Sequence, residues 1–264
     1  MENVSGAIGL YQFAIDTLGR IQLAQSFRDD FEMYQLKLDI LQLRLSRWGE
    51  IVDIVTVDDK NKAQGTGKED QRNVVALLEE IHDRLHKARR ESERESRKWQ
   101  KDPSGRSTGA QALDPEACLP TDLKKIRTRF TEFLRKRKAR ASSVVQGIKW
   151  VFYQKQQFDT FVANITELID GLENIIREEE RERFRQLSDA ECKGISRSNL
   201  EELKLIVEGC DPWLETAVDT ELESTRGGTI INQSRNMGST VGIHNGDNKG
   251  ITYGPNSTQT NTFQ

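Results

Sequence analysis

Proline is scarce in this sequence, with five in 264 residues. Helix formers dominate up to Glu223, so little interrupts long helices before that point. Cysteine is scarcer still. Cys118, Cys192 and Cys210 form an odd set without metal-ligand spacing, which predicts reduced cytosolic thiols rather than a disulfide framework. Excess charge of one sign is missing as well: the net charge of -3 excludes a strongly basic protein. No secretory signal is expected. The longest charge-free run near the start, Asn3 to Ile15, falls short of the ~20 residues a spanning helix needs. Catalytic signatures are missing too. There is no phosphate-binding glycine loop, no HExxH and no paired-cysteine site, and the three histidines make no acid–base set. Neither an enzyme nor a cofactor is expected. His82 and His86 stand four apart, but no third ligand accompanies them, so no metal site is predicted.

What is present is helical periodicity. The stretch 27–55 places Phe31, Tyr34, Leu38, Leu41, Leu45, Trp48 and Val52 on one face, with Leu36, Ile40 and Leu43 beside it. Two apolar stripes predict a helix covered from more than one side, central in an all-α bundle. Ser26 is its expected N-cap and its end is expected near Val57. Residues 4–25 predict an unusually apolar helix, with only Asp16 and Arg20 charged between Val4 and Gln25. Its apolar positions are Val4, Ala7, Ile8, Leu10, Tyr11, Phe13, Ile15 and Leu18. The bland reading is a core helix; the sharper one is a segment that leaves the bundle for a membrane.

After a polar loop at 58–70, a helix is predicted from Asn73 to about Lys101. Val74, Leu77, Leu78, Ile81 and Leu85 form its face, and a charged second half is expected to project into solvent. A second loop spans Asp102 to Pro120. The next helix starts at Thr121 and ends in the basic run Arg135-Lys136-Arg137-Lys138-Ala139-Arg140, read as a solvated face. Anionic lipid or nucleic acid are its functional alternatives. The acidic balance and the lack of a recognition motif disfavour nucleic acid. Residues 144–179 predict two further helices with a break near Tyr153–Gln157. A last helix, from about Ser198 to Glu221, is kinked or restarted by Pro212.

At Thr225 the chemistry changes, and Asn, Gln, Gly, Thr and Ile replace Leu, Ala and Glu. Two segments share the pattern G-I-x-x-G-x-N: Gly242, Ile243, Gly246 and Asn248 match Gly250, Ile251, Gly254 and Asn256. Asn245 and Tyr253 fill the variable positions. Short β-capable pieces, Ile230-Ile231-Asn232-Gln233 and Val241-Gly242-Ile243, lie between turn formers. Stacked copies could form Asn and Gln ladders. The expectation is a tail disordered alone and cross-β when assembled, and the domain boundary falls between 1–222 and 223–264.

Two segments carry a family resemblance. Leu38-Asp39-Ile40 followed by Arg44-Leu45-Ser46-Arg47-Trp48-Gly49-Glu50 resembles the signature helix of the fungal HeLo domain, the prion-inhibition and propagation family. Lys149-Trp150-Val151-Phe152-Tyr153, leading into Phe158-Asp159-Thr160-Phe161-Val162 and on to Leu172-Glu173, is the second. The resemblance implies a multi-helix bundle that self-associates, followed by a short amyloid-signalling tail templated by a matching motif on a NOD-like receptor. It implies a cytoplasmic cell-death executioner that moves to the plasma membrane and inserts its N-terminal helix into lipid. A non-toxic, prion-bearing inhibitor or adaptor is the alternative. The tail lacks the paired longer repeats and alternating charges of the family's solenoid motif, and resembles the short Gly/Asn/Gln-rich kind as well or better.

Overall fold

The computed structural model describes residues 6–54, 68–100, 111–138 and 147–225. Val4 and the whole tail from 226 onward, with every amyloid-motif residue named above, lie outside the described residues.

The apolar N-terminal stretch is a helix for only part of its predicted length. α1 runs Ala7–Leu18, and the chain then forms a short strand, β1, at Ile21–Leu23, and a 3-10 turn at Gln25–Asp30. Gly19 and Arg20 end the helix, and the remaining apolar residues alternate as a strand does, with Ile21 and Leu23 buried and Gln22 half-buried. Ser26 caps no helix; its hydroxyl donates to the Tyr153 carbonyl at 2.7 Å.

α2, Phe31–Ile51, is the centre of the bundle. It ends earlier than predicted, in a turn at Val52–Ile54. Both predicted stripes are inside: Leu36, Leu38, Ile40, Leu41, Leu43, Leu45 and Trp48 are all essentially inaccessible. α1, α5 (Thr121–Lys138), α6 (Lys155–Asn174), α7 (Glu178–Cys192) and α8 (Arg197–Val207) all pack on it. A helix so covered must be apolar around most of its circumference, which is why one amphipathic stripe did not suffice.

α3, Lys68–Gln100, packs on α1 and α6 through Leu78, Ile81 and Leu85. Its charged half does not project into solvent. Ala88 and Ser92 are buried, and Ser92 donates to the carbonyl of Val151. A narrow apolar seam with charge on the other face is enough to lay the helix along the bundle. The short α4 occupies Pro115–Cys118.

The segment expected to be helical before Tyr153 is instead strand β2, Trp150–Phe152, parallel to β1 with Ile21 opposite Trp150 and Leu23 opposite Phe152. β-branched and aromatic residues in a run this short suit an extended, half-buried backbone. Beyond β2, Pro212 restarts rather than kinks the last helix: α8 ends at Val207 and α9 begins at Pro212, closing at Ser224. Asp211 caps α9, accepting from the Leu214 N–H at 3.1 Å.

Candidate functional site

Two features of α2 organise the molecule: the charged residues it buries and the small residue it presents to α1. Arg44 and Arg47 lie three apart and point into the layer formed by α6 to α9. Arg44 donates to both oxygens of Glu173, at 2.9 and 2.7 Å, to Asp170 at 2.5 Å, and to the Cys210 carbonyl at 2.9 Å. Arg47 grips Asp211 through two bonds of 3.1 and 2.9 Å and Glu191 through one of 2.7 Å. Arg47, Glu191 and Asp211 have no solvent-accessible side-chain surface.

Burial opposes the charge on Arg47, but the Asp211 and Glu191 carboxylates outweigh it and hold the guanidinium protonated. Burial likewise works against Asp211, yet Arg47 keeps its carboxyl below the ordinary carboxylate value. Glu173 is shifted upward, chiefly by burial and also by Asp211, against the pull of Arg44. Four acidic residues, two from α6, one from α7 and the α9 cap, are thereby tied to one helix.

A third arginine enters from α5. Arg137 belongs to the basic run read as a solvated face, and here that reading is corrected: its side chain is buried. Its Nε donates to Glu50 at 2.7 Å, and its Nη2 lies 2.7 Å from Glu191 as an ion pair. Ser46 accepts from Arg137 and donates to the Leu43 carbonyl. Trp48 Nε1 donates to the Leu172 carbonyl at 3.1 Å. The signature residues Arg44, Leu45, Ser46, Arg47, Trp48, Gly49 and Glu50 thus divide between buried polar anchoring and close packing. The sequence pointed to the arginines and, through the second segment, to Glu173, but not to Asp170, Glu191 or Asp211. The signal for one partner was present: an Asp directly before Pro212 marks a helix start, and helix starts next to a central helix are candidates for buried capping carboxylates.

On its opposite side α2 carries α1. Tyr11 lies against Gly49, where a Cβ would overlap its hydroxyl, and its ring is tilted against Trp48 with centroids 6.1 Å apart. Leu10, Tyr11, Phe13, Ile15 and Leu18 are buried, while Ala7 and Ile8 are partly so. Phe13 rests on the two histidines of α3, 4.8 Å from His82 and 5.3 Å from His86. Burial and the neighbouring His82 depress the His86 pKa. Gln42 donates to the Ile15 carbonyl at 2.8 Å, and Thr17 accepts from the Ile148 N–H. Among the described residues no helix is long and apolar enough to cross a membrane, and no cluster of three or more metal-ligating side chains occurs.

The arrangement is that of a helical bundle whose central helix is bolted by buried ion pairs on one side and overlaid by an apolar helix on the other. The sequence model of the HeLo family, described as prion-inhibition and propagation, matches residues 3–206, and the chain belongs to that family. Heterokaryon incompatibility protein s of Podospora anserina is 27% identical over 176 residues, covering 64% of this chain and 57% of the relative. Heterokaryon incompatibility protein S of the same species is 27% identical over 180 residues, covering 65% and 57%. The chain therefore spans little more than half the length of these curated relatives. The solved HET-s N-terminal domain superposes with a TM-score of 0.73 at 22% identity, covering 84% of this chain and 99% of that one. A doubly substituted variant of it gives 0.69 at 20% identity, covering 83% and 98%. The all-α bundle read from the sequence is the observed fold.

Proposed function

We propose that the protein acts in heterokaryon incompatibility as a cell-death execution protein of the cytoplasm. Its tail takes a cross-β template from a NOD-like receptor carrying a matching motif, stacked tails crowd the bundles, and α1 is withdrawn into membrane lipid at the plasma membrane. The observation that supports this most is the placement of α1. It is a 12-residue, largely apolar helix laid over α2 and α3, and Gly6 at its N-cap provides no side-chain cap.

Energetics require the crowding step. Exposing five buried apolar side chains costs roughly 10 kcal/mol at ~2 kcal/mol each, comparable to the whole stability of a typical domain. A lone bundle therefore keeps α1. Many bundles held together can recover that cost by burying their helices against lipid and one another, and a helix this short also needs oligomerisation or bilayer thinning to act. Seeded full-length protein is expected to release dye from liposomes, and Ile8→Lys to suppress release without loss of fibres. Deleting residues 227–264 is expected to abolish assembly and leave the bundle folded. Seeded fibres that leave liposomes intact would sink the execution reading.

The second reading, an inhibitor or adaptor that assembles without killing, is favoured by how deeply Phe13, Ala14, Ile15 and Leu18 are set into the core. Leakage that is absent from wild type and unchanged by Ile8→Lys would select it.

A further inference from the structure

Where α1 gives way to β1, five segments enclose a cavity of about 310 Å³. Its floor is apolar, formed by Leu18, Ile21 and Leu113, all buried. Its walls are charged and unequal, with Arg20, Arg127 and Lys149 facing one carboxylate, Asp39. Asp39 is fixed rather than mobile: Gln35 donates to it at 3.3 Å and Arg127 at 3.1 Å, and its side chain is 12% exposed. Arg127 divides itself between Asp39 and Glu116. The excess positive charge lies on Arg20 and Lys149, both exposed and both lining the cavity, and Arg20 donates to the Gly147 carbonyl, two residues before Lys149. Gln22 lines the cavity as well.

The two halves of this lining suit two halves of one ligand. Exposed Lys and Arg recognise phosphate oxygens. A carboxylate and amide side chains held in place recognise hydroxyl groups, the carboxylate as acceptor and the amides as both donor and acceptor. The volume lies at the lower end of the range for small-molecule sites. We infer that this cavity binds a phosphorylated polyol, its phosphate held by Arg20 and Lys149 and its hydroxyls by Asp39, Gln35 and Gln22. Because the walls include the C-terminal end of α1, occupancy fastens the root of that helix to α2 and α5.

The shared chemistry has two sources, a soluble polyol phosphate and a phosphoinositide headgroup. Unassembled full-length protein is titrated with myo-inositol 1-phosphate, with inorganic phosphate, and with phosphatidylcholine vesicles with and without phosphatidylinositol 4-phosphate. Saturable binding of the soluble probe, weakened at least tenfold by Lys149→Glu and by Gln22→Ala, is expected. Binding confined to phosphoinositide vesicles, with the same loss in both variants, assigns the headgroup as the source and also supports the site. Inorganic phosphate binding as tightly as the inositol phosphate overturns the polyol assignment. Absence of saturable binding, or an equal loss in the charge-matched control Lys193→Glu on the α7–α8 turn, overturns the site altogether. Thermal melts verify that each variant is folded. No seeding is involved, so a protein that never kills can still bind, and a failure to bind leaves the execution reading standing.

Discussion

The two sides of α2 are held by different physics. Toward α6, α7 and the start of α9 it is joined by arginine–carboxylate clusters with directional bonds, Arg47 to Asp211 and Glu191 and Arg44 to Glu173. Toward α1 it offers a glycine, an indole and aliphatic surface, supplemented by the neutral bond from Gln42 to Ile15. Apolar contact is non-directional and roughly proportional to area, so α1 can be exchanged for another apolar surroundings at little net cost. A buried ion pair has no such substitute, because breaking it strands a charge. The C-terminal layer is held to α2 by charge that cannot be left unpaired, and α1 by apolar packing.

Breaking the bolted side should cost most. Arg47→Ala leaves Asp211 and Glu191 buried without their cation and is expected to destabilise the bundle by about 3–5 kcal/mol in urea denaturation. A loss under ~1 kcal/mol would show that the two sides do not differ in this way. On the α1 side, Gly49→Ala forces Tyr11 aside and is expected to cost about 1–3 kcal/mol. Hydrogen exchange should rise in α1 while α7 to α9 keep their protection; uniform loosening would erase the contrast.

A smaller effect concerns pH. The folded-state pKa of His86 is below its ordinary value, so its neutral form is the one the fold accepts. Its contribution is present above about pH 6.5 and declines as pH falls from there through the depressed folded value. Acidification should therefore raise exchange in α1 before the rest of the bundle, and His86→Gln should remove that difference. The smallest effect belongs to exposed pairs such as Arg197 with Glu201 in α8. Arg197→Ala should change stability by less than about 0.5 kcal/mol, which fixes the scale against which Arg47 is judged.

Much of the bundle was legible because amphipathic periodicity survives without knowledge of partners. The stripes of α2, the face of α5 from Leu123 to Leu134 and the face of α6 from Phe158 to Leu172 needed only spacing. The two strands were not legible. Ile21–Leu23 and Trp150–Phe152 are three residues each, too short for a period of two to stand out against a neighbouring helical pattern, and each is extended only because the other lies beside it. The charged centre was half legible. Arg44 and Arg47 stood out by resemblance, but Arg137 resembled any other member of its run, since burial of one cation among six residues depends on Glu50 and Glu191 from elsewhere in the chain. The tail from 226 onward lies outside the described residues, and its cross-β reading stands on composition and repetition alone.

The pairing of β1 with β2 sets how far any freed α1 can travel. Ile21 to Leu23 stay stitched to Trp150 to Phe152, and Leu23 is gripped from its other edge by the Leu113 N–H at 2.7 Å. A liberated α1 therefore swings like a boom from a fixed mast, with a helical reach of about 18 Å, little over half the ~30 Å hydrocarbon thickness. If α1 enters lipid as proposed, the body of the protein must berth directly against the bilayer surface, and a bundle parked even one helix length away would extend its boom into water.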